Sequence, residues 1–255
     1  MSAGASTDWL SARPVAHRGF HDRAAGRIEN SISAARAAVA RGYAIECDVQ
    51  ISADGDAMVF HDFDLDRLTG AHGRVDAHEA AALSRIALKD SDDVIPTLTD
   101  WLAAIAGETP VICEIKSAFD GDLRLAARTA QIAAAYPGKI ALKSFDPNVI
   151  AFLRRDGADL GVAHLPLGIV AEAGFHSEAW SMLNDDQRLG MATLTHWPKT
   201  RPDFLSWRVA DLPHATASLC RAMRIPVLAW TVRSESDVAN AREFADQMIF
   251  EGFAA

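Results

Sequence analysis

The sequence is short of cysteine, of lysine and of positive charge in general, and it has no long apolar run. Its three cysteines, Cys47, Cys113 and Cys220, are odd in number, widely spaced and form no CxxC pair. Neither a disulfide framework nor a cysteine zinc site is expected, and a reducing, cytoplasmic compartment fits best. The 25 Lys and Arg are outnumbered by 34 Asp and Glu, giving a formal net charge of -9. Nucleic-acid binders need clustered basic residues to replace phosphate counterions, so a small-molecule partner is expected and a nucleic acid is not. The first twenty residues carry Asp8, Arg13, Pro14, His17 and Arg18 instead of the apolar core of a signal peptide. The apolar stretch at 101–106 runs straight into Gly107 and Glu108, far short of the roughly 18 apolar residues of a membrane span. No transmembrane segment is expected. Neither GxGxxG nor a P-loop is present, which weighs against a nucleotide-binding sheet. Internal repeats, low-complexity tracts and linkers are also missing, and nothing in the sequence sets the oligomeric state.

What is present is a chain of 255 residues, 49% of them hydrophobic and 23% charged, a balance that excludes disorder. Barrels of α/β type reach about 250 residues as one unit, so a single domain over 1–255 is expected. Short β-rich runs alternate with Ala-rich amphipathic stretches. Strands are predicted near 13–17, 44–50, 111–116, 139–145, 160–165, 203–207, 226–232 and 248–251. Helices are predicted at 33–41, 122–135, 147–155 and 214–223, closed by Gly42, Pro137, Gly157 and Pro226. Eight strands with intervening helices predict an α/β fold, a TIM (β/α)8 barrel. The polar region after the second strand, about 52–96, reads as a small hairpin and loop excursion able to select substrate.

Ionisable residues gather at the ends of otherwise apolar strands, in AHRGF (16–20), IECDVQ (45–50), VFHDFD (59–64) and ICEIK (112–116). Strand ends are where barrel enzymes do their chemistry. Glu46 and Asp48 are two apart and share one face, as do Glu114 and Lys116, while Cys47 and Cys113 point outward. Three carboxylates converging at a barrel mouth would repel one another without a cation, and hard oxygen ligands suit Mg2+ or Ca2+ better than zinc. One divalent metal ion is therefore expected on Glu46, Asp48 and Glu114, with positions left open for a phosphoryl group. Arg18 and Lys116 would supply fixed positive charge to a phosphodiester. Reading Asp54-Gly55 as a two-residue hairpin turn sets cross-strand partners that sum to 109, which places His61 opposite Asp48.

Together these residues resemble the glycerophosphodiester phosphodiesterase family. The pieces are HRG at 17–19, Glu29-Asn30, Glu46 and Asp48, the Asp54-Gly55 turn, His61-Asp62, PTL at 96–98, EIK at 114–116 and WTV at 230–232. Each is weak alone; their order and spacing are specific. The resemblance implies metal-dependent hydrolysis of a glycerophosphodiester to an alcohol and sn-glycerol 3-phosphate through a cyclic phosphate. It implies His17 and His61 as acid and base, metal on Glu46, Asp48 and Glu114, phosphate on Arg18 and Lys116, and Trp230 as a pocket wall. Glu29 would orient a histidine or a substrate hydroxyl, and Asn30 would serve beside it or simply cap the next helix. The chain departs from the family in reading ENS, Ser52-Ala53 before the turn, Arg233 after WTV, and IFEGF (249–253) in place of a Thr-Asp-x-Pro ending.

Plainer readings compete. A lone strand-end His or Glu is usually structural, Arg18 could be scaffold, and Trp230, like Trp197 and Trp207, could be core. His72, His78, His164, His176, His196 and His214 have no defensible partner spacing. A related phosphodiesterase acting on lysophospholipids would want a greasy entrance. An amidohydrolase would want HxH where this chain has HRG, and a noncatalytic phosphodiester-binding protein would not need both histidines.

Overall fold

The computed structural model describes residues 6–255. Nine strands follow in chain order: β1 (Val15–Ala16), β2 (Ala44–Ile51), β3 (Ala57–Val59), β4 (Val111–Ile115), β5 (Ile140–Ser144), β6 (Leu167–Ala171), β7 (Phe204–Arg208), β8 (Val227–Val232) and β9 (Gln247–Phe250). All but β3 are parallel, and β1 pairs with both β2 and β9, closing an eight-stranded barrel. The helices are α1 (Ile32–Ala40), α2 (Ala80–Leu83), α3 (Leu98–Ile105), α4 (Arg124–Ala135), α5 (Pro147–Asp156), α6 (Asp185–Ala192), α7 (Trp197–Thr200), α8 (Ala215–Ala222) and α9 (Glu235–Phe244). This is a TIM barrel. No helix among the described residues is long and apolar enough to cross a membrane.

Local chemistry starts the helices where the strands end. The Ser31 hydroxyl accepts the Ala34 N–H at the head of α1. Asp146 caps α5, which opens on Pro147, and Ser234 and Asp237 form a capping box on α9. Each device satisfies N–H groups that a first turn leaves free.

Alternation divides every strand between two apolar layers. Outward residues such as Cys47, Cys113, Ile169 and Trp207 pack among the helices. Inward residues Val15, Ala44, Ile112, Ala141, Phe204, Leu228 and Ile249 fill the lower barrel over Leu10. On β6 the inward place belongs to Gly168, because the Phe204 ring lies only 2.3 Å from where a Cβ would stand. Most of the upper inward positions are polar and form the site.

Two sequence expectations fail. The sixth strand is Leu167–Ala171, not 160–165. Pro166, which removes a ladder donor, sits just before the real strand; the preceding run turns at Gly161 (φ +74) and only packs through Val162 and Leu165. The hairpin register is also off by one. Val49 faces Val59 and Gln50 faces Met58, so partners sum to 108. The Ser52 N–H donates to the Asp56 carbonyl and the Gly55 N–H to that of Ser52, making a three-residue loop with Gly55 at φ +86. Asp48 therefore faces Phe60, whose N–H donates to its carbonyl, and His61 lies beyond the strand end.

Beyond the hairpin, Met58, Phe60, Leu65, Leu68, Val75, Leu83, Leu88 and Ile95 form a second apolar cluster. This small core fixes the segment that carries His61 and Asp62 against the barrel.

Candidate active site

The three carboxylates come from neighbouring strands. Glu46 and Asp48 lie on β2, and the β2–β4 register sets Asp48 beside Glu114. Ligand oxygens of Glu46, Asp48 and Glu114 all fall within 4.8 Å of one another, and all three residues are buried. Lys116 Nζ stands 2.7 Å from Asp48 Oδ1 and also bonds Glu114. Lys143, inward on β5 and beside Glu114 in register, reaches Glu46 Oε1 at 3.0 Å and Glu114 Oε2 at 3.2 Å.

Burial alone would raise the Asp48 carboxyl. The charges of Lys116, His61, Arg18 and His17 outweigh it and hold Asp48 well below the usual carboxylate range. Glu114 is lowered against burial by Lys116 and Lys143. Lys143 itself is raised: burial opposes its charge, but Glu46 and Glu114 favour it more strongly. Asp48 and Glu114 are thus held in the ionised form, the form in which a carboxylate binds metal. Glu46 Oε1 is buried and has no aligned hydrogen bond. An all-oxygen donor set of three buried carboxylates converging within 4.8 Å fits a hard divalent cation.

His17 stands at the end of β1. Its Nδ1 bonds Glu251, just past β9, and its Nε2 lies 4.0 Å from Glu46 Oε2. Arg233 Nε donates to the other oxygen of Glu251 at 2.6 Å, and His21 lies 3.5 Å away. Burial would raise Glu251, but the hydrogen bonds from His17 and His21 and the charge of His17 hold it far below the ordinary range.

His61 is arranged in the same way. Its Nδ1 is 2.7 Å from Asp62 Oδ1, and its carbonyl accepts from Gln50 Nε2 at 2.9 Å. Arg67 grips Asp62 and also makes bonds of 2.9 and 2.8 Å to the two oxygens of Glu29. Against burial, Arg67 and Arg18 bring the Glu29 carboxyl down to about 2. Each histidine therefore has a carboxylate on Nδ1 and an arginine behind it, with Nε2 free to work.

Arg18 links these parts. Its backbone N–H donates to Glu46 Oε2 at 3.2 Å, its Nη1 to Glu29 Oε1 at 2.6 Å, and its Nε lies 3.2 Å from Asp48 Oδ2. Arg18 (φ +56) and Gly19 (φ +82) are both left-handed, and a Cβ on Gly19 would meet Ala34 at 2.9 Å. Only glycine allows this close turn of the chain against α1. Asn30 is not a helix cap, since Ser31 takes that place. It clasps Asp48 instead: Nδ2 donates to Asp48 Oδ2 at 3.0 Å and Oδ1 accepts the Asp48 N–H at 3.2 Å. Trp230 is half-buried at the mouth, with Nε1 on the Ser206 carbonyl at 3.0 Å and its ring edge-on to Phe145 at 5.4 Å.

All ten residues singled out in the sequence stand on this end of the barrel, in one network apart from Trp230. Three participants escaped sequence reasoning. Lys143 was findable, because the chain has few lysines and this one sits inward on the strand beside Glu114. Glu251 lies within the IFEGF departure, where a carboxylate is still available. Arg67 had no local signal and is paired by the fold of the excursion.

The sequence model described as the glycerophosphoryl diester phosphodiesterase family matches residues 17–252. No curated protein sequence gives a significant match. Among solved structures, the chain is similar to an Oleispira antarctica phosphodiesterase in complex with the product sn-glycerol-3-phosphate. That pair has a TM-score of 0.75 and 19% identity, covering 95% of this chain and 94% of that one. A Thermotoga maritima glycerophosphodiester phosphodiesterase gives 0.69 and 20%, covering 93% and 94%. One from Parabacteroides distasonis gives 0.73 and 16%, covering 93% and 92%.

Proposed function

The chain belongs to the glycerophosphoryl diester phosphodiesterase family, and from that premise we propose that it hydrolyses glycerophosphodiesters to an alcohol and sn-glycerol 3-phosphate. The observation that carries the reading is the packing of Glu46, Asp48 and Glu114 within 4.8 Å, with Lys116 beside them and His17 and His61 each backed by a carboxylate. We take residues 1–255 as one working unit, with 52–96 as its substrate-facing excursion, in a cytoplasmic setting consistent with three free, buried cysteines.

A single Mg2+ or Ca2+ held by Glu46, Asp48 and Glu114 would polarise a phosphoryl oxygen and offset charge gathering on phosphorus. The chain's own groups do the rest. Arg18 and Lys116 hold non-bridging oxygens and steady the added negative charge. One histidine takes the proton of the glycerol hydroxyl next to the ester as that oxygen bonds to phosphorus. The other gives a proton to the alcohol oxygen as its bond to phosphorus breaks. Their roles then reverse: water adds to the cyclic phosphate, losing its proton to one imidazole while the ring oxygen regains one from the other. With Nδ1 engaged by Glu251 or Asp62, each imidazole presents Nε2 to these transfers. Glu29 and Asn30 act indirectly, by holding Arg18 and Asp48, and Trp230 walls the pocket.

A second reading, hydrolysis of lysophospholipids at the same centre, is favoured by one observation. Met182 and Leu189, in the segment that follows β6, are exposed apolar side chains, a place where an acyl chain could rest. A panel of glycerophosphodiesters and lysophospholipids with Mg2+ and Ca2+ tests both readings. Release of glycerol 3-phosphate supports the first, turnover confined to lysolipids the second, and metal-dependent turnover of neither overturns both.

A further inference from the structure

Across the mouth from the carboxylate cage stands an acid that the chemistry above does not use. Glu172 directly follows β6. Since Gly168 faces the barrel axis, the period of two turns Val170 and Glu172 inward as well. Glu172 is only 7% exposed, and among the described residues none pairs with it as an ion. Burial raises its carboxyl above the ordinary range and Asp211 adds to the rise; Arg208, the Trp180 indole and the Phe175 backbone offset this only in part. Arg208 Nη1 instead lies 3.8 Å from Asp211 Oδ1. Arg208 is thus engaged by Asp211, and the Glu172 charge is left without an ion-pair partner, a costly state for a buried acid.

Aromatic rings join that acid to the cage. Phe145, two residues beyond Lys143, meets Trp180 at 4.7 Å and Trp230 at 5.4 Å between ring centroids. Trp180 packs on Phe175 at 5.1 Å and on Phe119 at 6.1 Å. Strands β4 and β6 are two places apart in the barrel, about 10 Å at ordinary strand spacing. A phosphate held at the cage would therefore lay a short alcohol group along this wall, with its far end at Glu172. Aromatic faces attract ammonium groups, and a carboxylate neutralises them.

We propose that Glu172 and Trp180 form a subsite for a positively charged aminoalcohol, the leaving group of the diester. This rests on the phosphodiesterase reading and narrows its substrate class. A neutral polyol would leave the charge deficit unfilled, and an anionic alcohol would deepen it.

The test compares kcat/KM for glycerophosphoethanolamine with that for glycerophosphoglycerol. The native protein should prefer the cationic diester by about 10-fold or more, the scale of one well-placed charged contact. Glu172→Gln should erase most of that preference through the cationic diester, and Trp180→Ala, at the half-buried end of a single 3-10 turn, should reduce it. Equal kcat/KM for the two diesters in the native protein, or a preference untouched by both substitutions, overturns the subsite. If neither diester is turned over, the catalytic reading has failed separately. Calorimetry then judges the subsite alone: phosphoethanolamine should bind more tightly than ethyl phosphate, with the difference lost in Glu172→Gln, and equal affinities overturn it.

Discussion

Glu251 and His17 are separated by 234 residues of chain and joined by a hydrogen bond across the closure of the barrel, from the end of β9 to the end of β1. The last strand therefore sets the orientation of the first strand's imidazole. Glu251→Gln keeps the size of the side chain and removes its charge. Steady-state kinetics should give a kcat lowered by about 10-fold or more with KM little changed, the pattern for a group that orients a general acid or base. Unaltered kcat would remove Glu251 from the account.

Arg67 should behave as a positioning residue for His61. It bridges Asp62 and Glu29 with paired bonds, a geometry that a lysine ammonium does not reproduce. Both Arg67→Lys and Arg67→Ala should lower kcat by about 10-fold. Divalent-cation affinity, followed by calorimetry, should stay near the native value, because Arg67 touches none of the cage carboxylates. A variant that loses metal affinity and activity in parallel would point to a general collapse of the mouth instead.

Lys143, on the neighbouring strand β5, bridges Glu46 and Glu114. Replacing it with methionine leaves buried like charges unneutralised, a loss of about 3 kcal/mol or more. Thermal unfolding of Lys143→Met in a chelator should show a clear fall in Tm. Added Mg2+ or Ca2+ should raise that Tm by more than it raises the native protein's, because a ligand that binds only the folded state stabilises it. The same rise in both proteins would argue that these carboxylates do not hold the cation.

Burial lowers the His196 imidazole from 6.5 to about 4. Its Nδ1 meets Thr200 Oγ1 at 3.0 Å, and its Nε2 is buried with no partner. The unfolded chain binds this proton from about pH 6.5 downward while the folded chain refuses it until about pH 4, so stability drains away across that window as pH falls. His196→Phe removes this contribution. Its Tm relative to the native protein should improve steadily from about pH 7 to about pH 5. A constant difference across that range would contradict the assignment.

The residues legible in the sequence were those whose facing follows from strand alternation. Glu46, Asp48, Glu114 and Lys116 needed only a period of two and apolar neighbours to converge. For His61, a two-residue turn sets a register one residue out, because the loop over 53–55 has three residues. His61 is held at the same end of the barrel as Asp48 by the second apolar cluster and not by the β2–β3 ladder. The sixth strand was misplaced because two apolar runs flank Pro166 and local pattern cannot choose between them. Glu251 and Arg67 meet their histidines only through barrel closure and the fold of the excursion, which no local spacing encodes. Asn30 resembles a cap in sequence because a cap and a carboxylate clasp both use a short polar side chain just before a helix.

The central claim is that His17 and His61 act on a glycerophosphodiester with a divalent cation at Glu46, Asp48 and Glu114. The most direct test measures initial rates of sn-glycerol 3-phosphate release from glycerophosphoethanolamine by the native protein, His17→Ala and His61→Ala, each with Mg2+ or Ca2+ and after exhaustive chelation. The account predicts turnover by the native protein only with metal, and a loss of about 10²-fold or more in each variant, as expected when a general acid or base is removed. Undiminished turnover by both variants, persisting under chelation, would contradict it.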